Sequence, residues 1–225
     1  MMIAACTVIR DEIDVLPTFL KGLEDAGVAA LFVIDNGSTD GSREYLRYSF
    51  NSFVFDDPSD AYPQAEWMTE LAQRAYRWGA DWVLNIDADE RWENVDELQT
   101  VDSSFNEVAI PMYNALPRFE DRDAWDPLKC PVGNDVQGFK VAHRAANGVK
   151  VSMGNHTTSA EPTFRASRMK VVHYAVRGYD RFRKKVERAI QVLPNVAEHQ
   201  CLHWRDWERS YRNGTLLDTY RSLTQ

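Results

Sequence analysis

The sequence predicts an α/β chain: a mostly parallel sheet flanked by helices, with a smaller mixed sheet in the second half. Three observations predict it. Short apolar, β-branched runs alternate with stretches of helical periodicity through the first 95 residues, the pattern of parallel strands joined by crossover helices. Each apolar run is closed by polar turn formers. Acidic residues follow the strand ends (Asp11, Glu12, Asp35, Asp87, Asp89), the edge where open parallel sheets bind ligands.

The elements follow in order. Met1 to Val8 is a buried first strand, ending at Ile9-Arg10-Asp11-Glu12. Leu16, Phe19, Leu20 and Leu23 fall at i, i+3, i+4 and i+7 on one helix face, with Pro17 in the first turn and Gly27 at the end. Leu31 to Ile34 is a second strand, stopped by the dense turn signal Asp35-Asn36-Gly37-Ser38-Thr39-Asp40-Gly41. A short helix over about Ser42 to Tyr48, a strand at Phe53 to Phe55, a helix from Pro63 to Trp78 and a strand at Trp82 to Ile86 complete a β-α-β-α-β-α-β series. Further on, Val108 to Pro111, Phe139 to Ala142, Val149 to Met153 and Lys170 to Tyr174 read as strands. Asn114 to Gly138 reads as a long loop, Tyr179 to Leu193 as a helix, and Trp204 to Leu223 as a terminal helix. No repeat, linker or low-complexity stretch interrupts the 225 residues, so a single domain is expected.

Composition narrows the function classes. A domain of this length buries roughly 70% of its unfolded surface, so a core can form without disulfides. The longest strongly apolar run, Val28 to Ile34, is far short of a membrane span. Arg10 and Asp11 arrive too soon for a secretory signal. Cys6, Cys130 and Cys201 are scattered and odd in number, which predicts free thiols and a cytoplasmic location. The net charge is −8, divided as −15 over residues 1–164 and +7 over residues 165–225. The acidic body argues against nucleic-acid binding. The basic tail either attracts a phosphate, an anionic glycan or a lipid headgroup, or neutralises the body.

Asp87-Ala88-Asp89, just past a buried strand, places two carboxylates where a hard divalent cation and substrate phosphates can share oxygen ligands. In the Asp35 to Gly41 block, Ser38 or Asp40 can cap a helix, and Asp35 can accept hydrogen bonds from a base or ribose. No P-loop and no dinucleotide glycine fingerprint is present.

Thr7-Val8-Ile9-Arg10-Asp11-Glu12, the Ile34 to Gly41 block and Trp82 to Glu90 together resemble, in order and spacing, the family 2 glycosyltransferases of the GT-A fold. The later His173-Tyr174, Arg177, Phe182 and Lys185-Val186 are similar to the closing segment of a bacterial branch with an Asp-x-Asp-Glu metal motif. The resemblance covers residues 1–95 and 154–190. It implies a GT-A-like, Rossmann-type fold with a nucleotide-binding half (1–95) and an acceptor and metal-completing half (96–225). It also implies a hexosyltransferase-like, inverting enzyme of polysaccharide biosynthesis. The donor would be a nucleotide-diphosphate sugar, UDP-sugar first, and the acceptor a glycan or lipid-linked molecule. The donor-binding set it implies is Thr7, Arg10, Glu12, Asp35, Gln64, Asp87, Arg177 and Lys185. Asp87, Asp89 and His173 would hold Mn2+ or Mg2+. The alternative for His173 is a satisfied core histidine.

Two departures stand out. The family's acidic pair before a later helix has no copy here, and Arg10-Asp11-Glu12 replaces the commoner Lys-Asn-Glu. The catalytic base stays open between Asp135 and His156, and His156 reads equally as a plain turn residue. Trp125, in the long loop, is a candidate platform for an acceptor sugar. His143 reads as structural. His199 and His203 have the spacing of a helical zinc pair but no second pair, so helix surface is the commoner reading. Trp204, Trp207 and Tyr211, interleaved with Arg205, Arg209 and Arg212, suit either peripheral membrane contact or helix packing. Two rival functions remain: a phosphotransferase with Asp87 as nucleophile, and a non-catalytic nucleotide- or glycan-binding module on the same fold.

Overall fold

The computed structural model describes residues 1–59, 62–123, 125–195 and 201–224. The chain forms two compact units: Met1–Pro58, Pro63–Tyr113 and Asn134–His173 make the first, and Ser59–Tyr62, Asn114–Gly133 and Tyr174–Gln225 the second.

The first unit is built on β1 (Ile3–Ile9), α1 (Leu16–Asp25), β2 (Ala30–Asp35), α2 (Ser42–Ser49), β3 (Ser52–Asp56), α3 (Gln64–Trp78), β4 (Trp82–Asn85), β5 (Glu90–Glu93), β6 (Glu107–Ala115), β7 (Val132–Arg144), β8 (Thr163–Arg165) and β9 (Lys170–His173). Its sheet runs β3-β2-β1-β4-β7-β6-β9-β5, with β8 beside β6. β1 to β4 pair in parallel, as the buried apolar runs predict. β7 lies antiparallel on β4, and β5 antiparallel on β9. The mixed part of the sheet is therefore continuous with the parallel part.

Local chemistry sets the helix ends. α1 buries Leu16, Phe19, Leu20 and Leu23. Beyond it Gly27 takes φ +71°, and the Val28 N–H reaches back to Leu23 O at 3.0 Å. α3 stops the same way at Gly79, φ +99°. One apolar cluster joins Leu16, Phe19 and Leu23 of α1 to Ala5, Ile9, Leu31, Val33, Leu84 and Ile86 of the strands.

Five elements differ from the sequence expectation. The long loop ends at Val132, where β7 begins: its outer half is mostly exposed and polar, so only backbone pairing reveals it. β5 and β8 are short, and charged or exposed side chains hide them. Val149 to Met153 is not a strand; Val151 alone bridges to Thr158, and a 3-10 turn starts at Met153. The terminal helix is two helices.

In the second unit, α4 (Tyr179–Val192), α5 (Leu202–Arg212) and α6 (Leu216–Ser222) pack Phe182, Val186, Trp207, Leu216 and Tyr220 together. The Phe182 and Trp207 rings meet edge-on at 5.0 Å. The break between α5 and α6 falls at Gly214, φ +73°, where the Thr215 N–H closes on Ser210 O at 2.9 Å. Among the described residues no helix is long and apolar enough to cross a membrane.

One carboxylate organises the chain before β9. Glu97 accepts the Ser167 N–H (2.9 Å) and Oγ–H (2.7 Å), the Arg168 N–H (2.8 Å) and the Met169 N–H (2.7 Å). Burial opposes its charge, yet these four donors hold its carboxyl down at about 2 from an ordinary 4.5. The depressed value means that its stabilisation is complete above about pH 4.5 and is lost as the pH falls towards 2. Glu97→Gln should therefore destabilise the neutral-pH fold by roughly 3 kcal/mol. It should also flatten the loss of stability on acidification, which urea unfolding across this pH range will measure.

Candidate functional site

The carboxyl ends of the parallel strands meet along one edge, because Ile9 pairs with Asp35 and Asp35 with Asp56. Two loops at that edge are stitched together by side chains. The Asp11 N–H donates to Ser38 Oγ (2.9 Å), the Glu12 N–H to Ser42 Oγ (2.8 Å) and the Ile13 N–H to Asp40 Oδ2 (3.1 Å). In return the Thr39 N–H donates to Asp11 Oδ1 at 2.6 Å. Asp11 adopts φ +53° to make the turn. Ser38 thus serves the neighbouring loop, while Asp40 also accepts the Ser42 N–H at 3.0 Å at the start of α2.

Asp35 is fully buried. Its Oδ1 accepts the Ser38 N–H at 3.0 Å, and its Oδ2 pairs with Arg43, which also reaches Asp56. Arg10 approaches Asn36 Oδ1 at 3.4 Å, and Asn36 donates to Asp57 O at 2.9 Å. Thr7 lies fully buried on β1, and its Oγ1 has no hydrogen-bond partner among the described residues.

A dense polar cluster follows β4, around Lys140 of β7. This residue is buried. Its ammonium lies 2.5 Å from Asp87 Oδ2, 2.8 Å from Glu90 Oε1 and 2.9 Å from Gly154 O. Burial disfavours the charge, but the two carboxylates hold the ammonium protonated well above the usual lysine range. Burial pushes the Glu90 carboxyl up against the pull of the Lys140 ammonium, and the Asp87 charge adds to the rise. Glu90 Oε2 further accepts the Asp87 N–H and Trp92 Nε1–H, both at 3.1 Å.

The same cluster clamps the turn at Met153–Asn155. Gln64, the first residue of α3, accepts the Gly154 N–H at 3.0 Å, and Asn155 donates to Asp87 Oδ1 at 2.9 Å. His156 is exposed, and its Nδ1 lies 2.8 Å from Phe139 O. A carbonyl only accepts, so Nδ1 carries the proton and the neutral ring keeps its lone pair on Nε2.

Asp89 and His173 meet at the other end of this segment, with Asp89 Oδ1 and His173 Nε2 3.6 Å apart. The register that pairs Glu90 with His173 across β5 and β9 brings them together. A hard divalent cation that also binds substrate phosphates needs only one or two protein ligands, and manganese accepts imidazole as well as carboxylate. Asp89 and His173 suit such a group. Among the described residues no three His, Cys, Asp or Glu side chains form a metal-holding cluster.

Asp135 is exposed in the outer half of β7. Buried His143 directs Nδ1 at Arg144 O (2.9 Å), and its burial lowers the ring's affinity for a proton. In the second unit, Arg177 is buried, Lys185 donates to Ala175 O at 3.2 Å, and Trp125 meets Tyr174 edge-on at 5.6 Å. His203 packs edge-on against Trp207 at 5.0 Å, and His199 lies outside the described residues.

Sequence reasoning missed Lys140 and Asn155. The available signal was a charged residue inside the otherwise apolar Phe139 to Ala142, since lysine is almost never buried unless paired.

No family model and no curated protein sequence matches the chain. Among solved structures it is similar to residues 1–349 of TarS from S. aureus, with TM-score 0.50, 12% identity, and coverage of 91% of this chain and 68% of that one. The same segment in complex with UDP gives TM-score 0.53 at 14% identity and the same coverage. A third TarS structure gives 0.52 at 14% identity, covering all of this chain and 44% of that one. The likeness establishes the fold: a GT-A-like α/β arrangement with a curled, mostly parallel sheet and flanking helices.

Gly154 tests the clamped turn. It sits at φ +78°, and a Cβ there would lie 2.8 Å from His156 Cδ2. Gly154→Ala should cost about 1–2 kcal/mol from the left-handed backbone alone and displace the His156 ring. Urea unfolding checks the first effect, and an unchanged midpoint contradicts it.

Proposed function

We propose that the chain is a metal-dependent, inverting glycosyltransferase. It would move a sugar from a nucleotide-diphosphate donor, a UDP-sugar, to a glycan or lipid-linked acceptor at the inner face of a membrane. One observation carries the reading: the strand-end cluster Asp87, Asp89, Glu90, Lys140 and His173 sits at the carboxyl edge of a parallel sheet. That is where such sheets bind nucleotides, and a neighbour of the same fold was solved with UDP. The motif resemblance to family 2 glycosyltransferases supports it independently.

In this reading Thr7, Arg10, Glu12, Asp35, Gln64 and Asp87 line the donor side. The orphaned Thr7 Oγ1 is suited to a ligand or water contact. Asp35, fully buried and tied to Arg43 and the Ser38 N–H, would act by fixing the loop that meets the donor. The motif resemblance would assign Arg177 and Lys185 to diphosphate oxygens, and Trp125 would offer an aromatic face to an acceptor. Asp89 and His173 would hold the divalent ion. Such an ion supplies Lewis-acid neutralisation of the leaving diphosphate. The acceptor hydroxyl attacks the anomeric carbon as the bond to the diphosphate oxygen breaks, and its proton passes to a base. His156 is better suited than Asp135, because Phe139 O fixes its tautomer and leaves the Nε2 lone pair for the transfer.

A thermal-shift panel of nucleotides tests the reading. A ligand at 100 times its dissociation constant stabilises by about 2.7 kcal/mol, and each kcal/mol moves the midpoint by about 2–4 °C in a domain of this size. UDP with Mn2+ should raise Tm by roughly 5–10 °C. If no nucleoside diphosphate shifts it, the transferase reading fails.

His156→Ala should keep that shift and lower turnover by roughly 10²–10⁴-fold, the usual worth of a general base. Asp135→Asn should leave turnover nearly unchanged. Donor consumption by the two variants decides between the bases.

A further inference from the structure

Two cations cannot comfortably share one small carboxylate. Asp87 Oδ2 is 2.5 Å from the Lys140 ammonium, and Asp87 Oδ1 accepts Asn155 at 2.9 Å. A divalent ion ligated to either oxygen would sit within a few ångströms of the ammonium, in surroundings where water screens little. Lys140 is itself anchored on three sides, by Asp87, Glu90 and Gly154 O, and its side chain is 4% exposed. Asp89 Oδ1 lies 3.6 Å from His173 Nε2.

We propose that the Lys140 ammonium is the resident cation of the Asp87–Glu90 pair, so that Asp87 is a positioning residue and the divalent ion is left to Asp89 and His173. Lys140 then does two jobs. It neutralises a carboxylate pair that would otherwise bind the ion in a second, unproductive place. It also fixes, through Gly154 O, the turn that precedes His156, while the carbonyl of the adjacent Phe139 fixes the His156 ring. Two neighbouring residues of β7 thereby hold both sides of one turn. The inference rests on the proposed metal-dependent transferase, and its test separates the two.

Mn2+ binding is measured by the EPR signal of free Mn2+ for the wild-type chain, Asp87→Asn and Asp89→Asn, each at UDP concentrations raised until the signal no longer changes, so that a weaker grip of Asp87→Asn on the nucleotide does not register as lost metal. Asp87→Asn should keep the Mn2+ dissociation constant within about threefold, while Asp89→Asn weakens it by on the order of tenfold or more. Equal weakening in the two variants overturns the proposal. The second arm needs no nucleotide. Lys140→Gln uncovers the Asp87–Glu90 pair, so MnCl2 alone should raise its Tm by several degrees. The wild-type chain should not respond, and Glu90→Gln added to Lys140→Gln should abolish the gain. A Lys140→Gln protein indifferent to Mn2+ overturns the proposal as well. If Lys140→Gln does not fold, the comparison of Asp87→Asn with Asp89→Asn decides alone. If the wild-type chain takes up no Mn2+ with UDP, the metal part of the transferase reading fails, and the Lys140→Gln arm still decides the role of Lys140.

Discussion

An ammonium buried between two carboxylates sets the organisation of the candidate site. Breaking a buried ion pair by removing one partner typically costs about 3–5 kcal/mol, because it leaves an uncompensated charge in a poorly hydrated place. Here the stakes are higher, since Lys140 answers both Asp87 and Glu90. Glu90 in turn fixes the Asp87 amide and the Trp92 indole, and Asp87 fixes Asn155. Strand end, following strand and distant turn are thus held by one electrostatic hub, and none of the three is set by local propensity.

The parallel register does comparable work at the neighbouring strands. Pairing Ile9 with Asp35 and Asp35 with Asp56 ends three strands at one level. The loops that leave them are therefore close enough to exchange hydrogen bonds. Arg43 completes the arrangement by lying between Asp35 and Asp56. Most polar groups of this edge bond to the protein itself, which gives a stiff frame for whatever ligand it takes.

The elements of the first half were legible because burial on both faces of a parallel sheet writes continuous apolar runs, and crossover helices write a 3.6-residue period. The carboxylates at the strand ends were legible for the same reason. Elements whose existence depends on a distant partner were not. β5 carries three charged residues in four and becomes a strand through pairing with β9, and the outer half of β7, with its two valines exposed, carries no signature of burial. Lys140 meets Asp87 across 53 residues, and Gln64 meets Gly154 across 90, so no window of sequence holds either pair. The α5–α6 break was visible as Gly214, but an interior glycine is not always a stop, and the Thr215 to Ser210 closure had to be seen.

The stitched loops have a consequence for anyone grafting parts between proteins of this architecture. Three successive amides, of Asp11, Glu12 and Ile13, find their acceptors in Ser38, Ser42 and Asp40. Transplanting either loop alone would strand these donors or their acceptors at the rim of the sheet, and for the two part-buried amides, of Asp11 and Glu12, an unmade hydrogen bond costs up to about 1–3 kcal/mol. The two segments form one exchangeable module although 20 or more residues lie between them in the chain, and they should be swapped, shuffled or redesigned only as a pair.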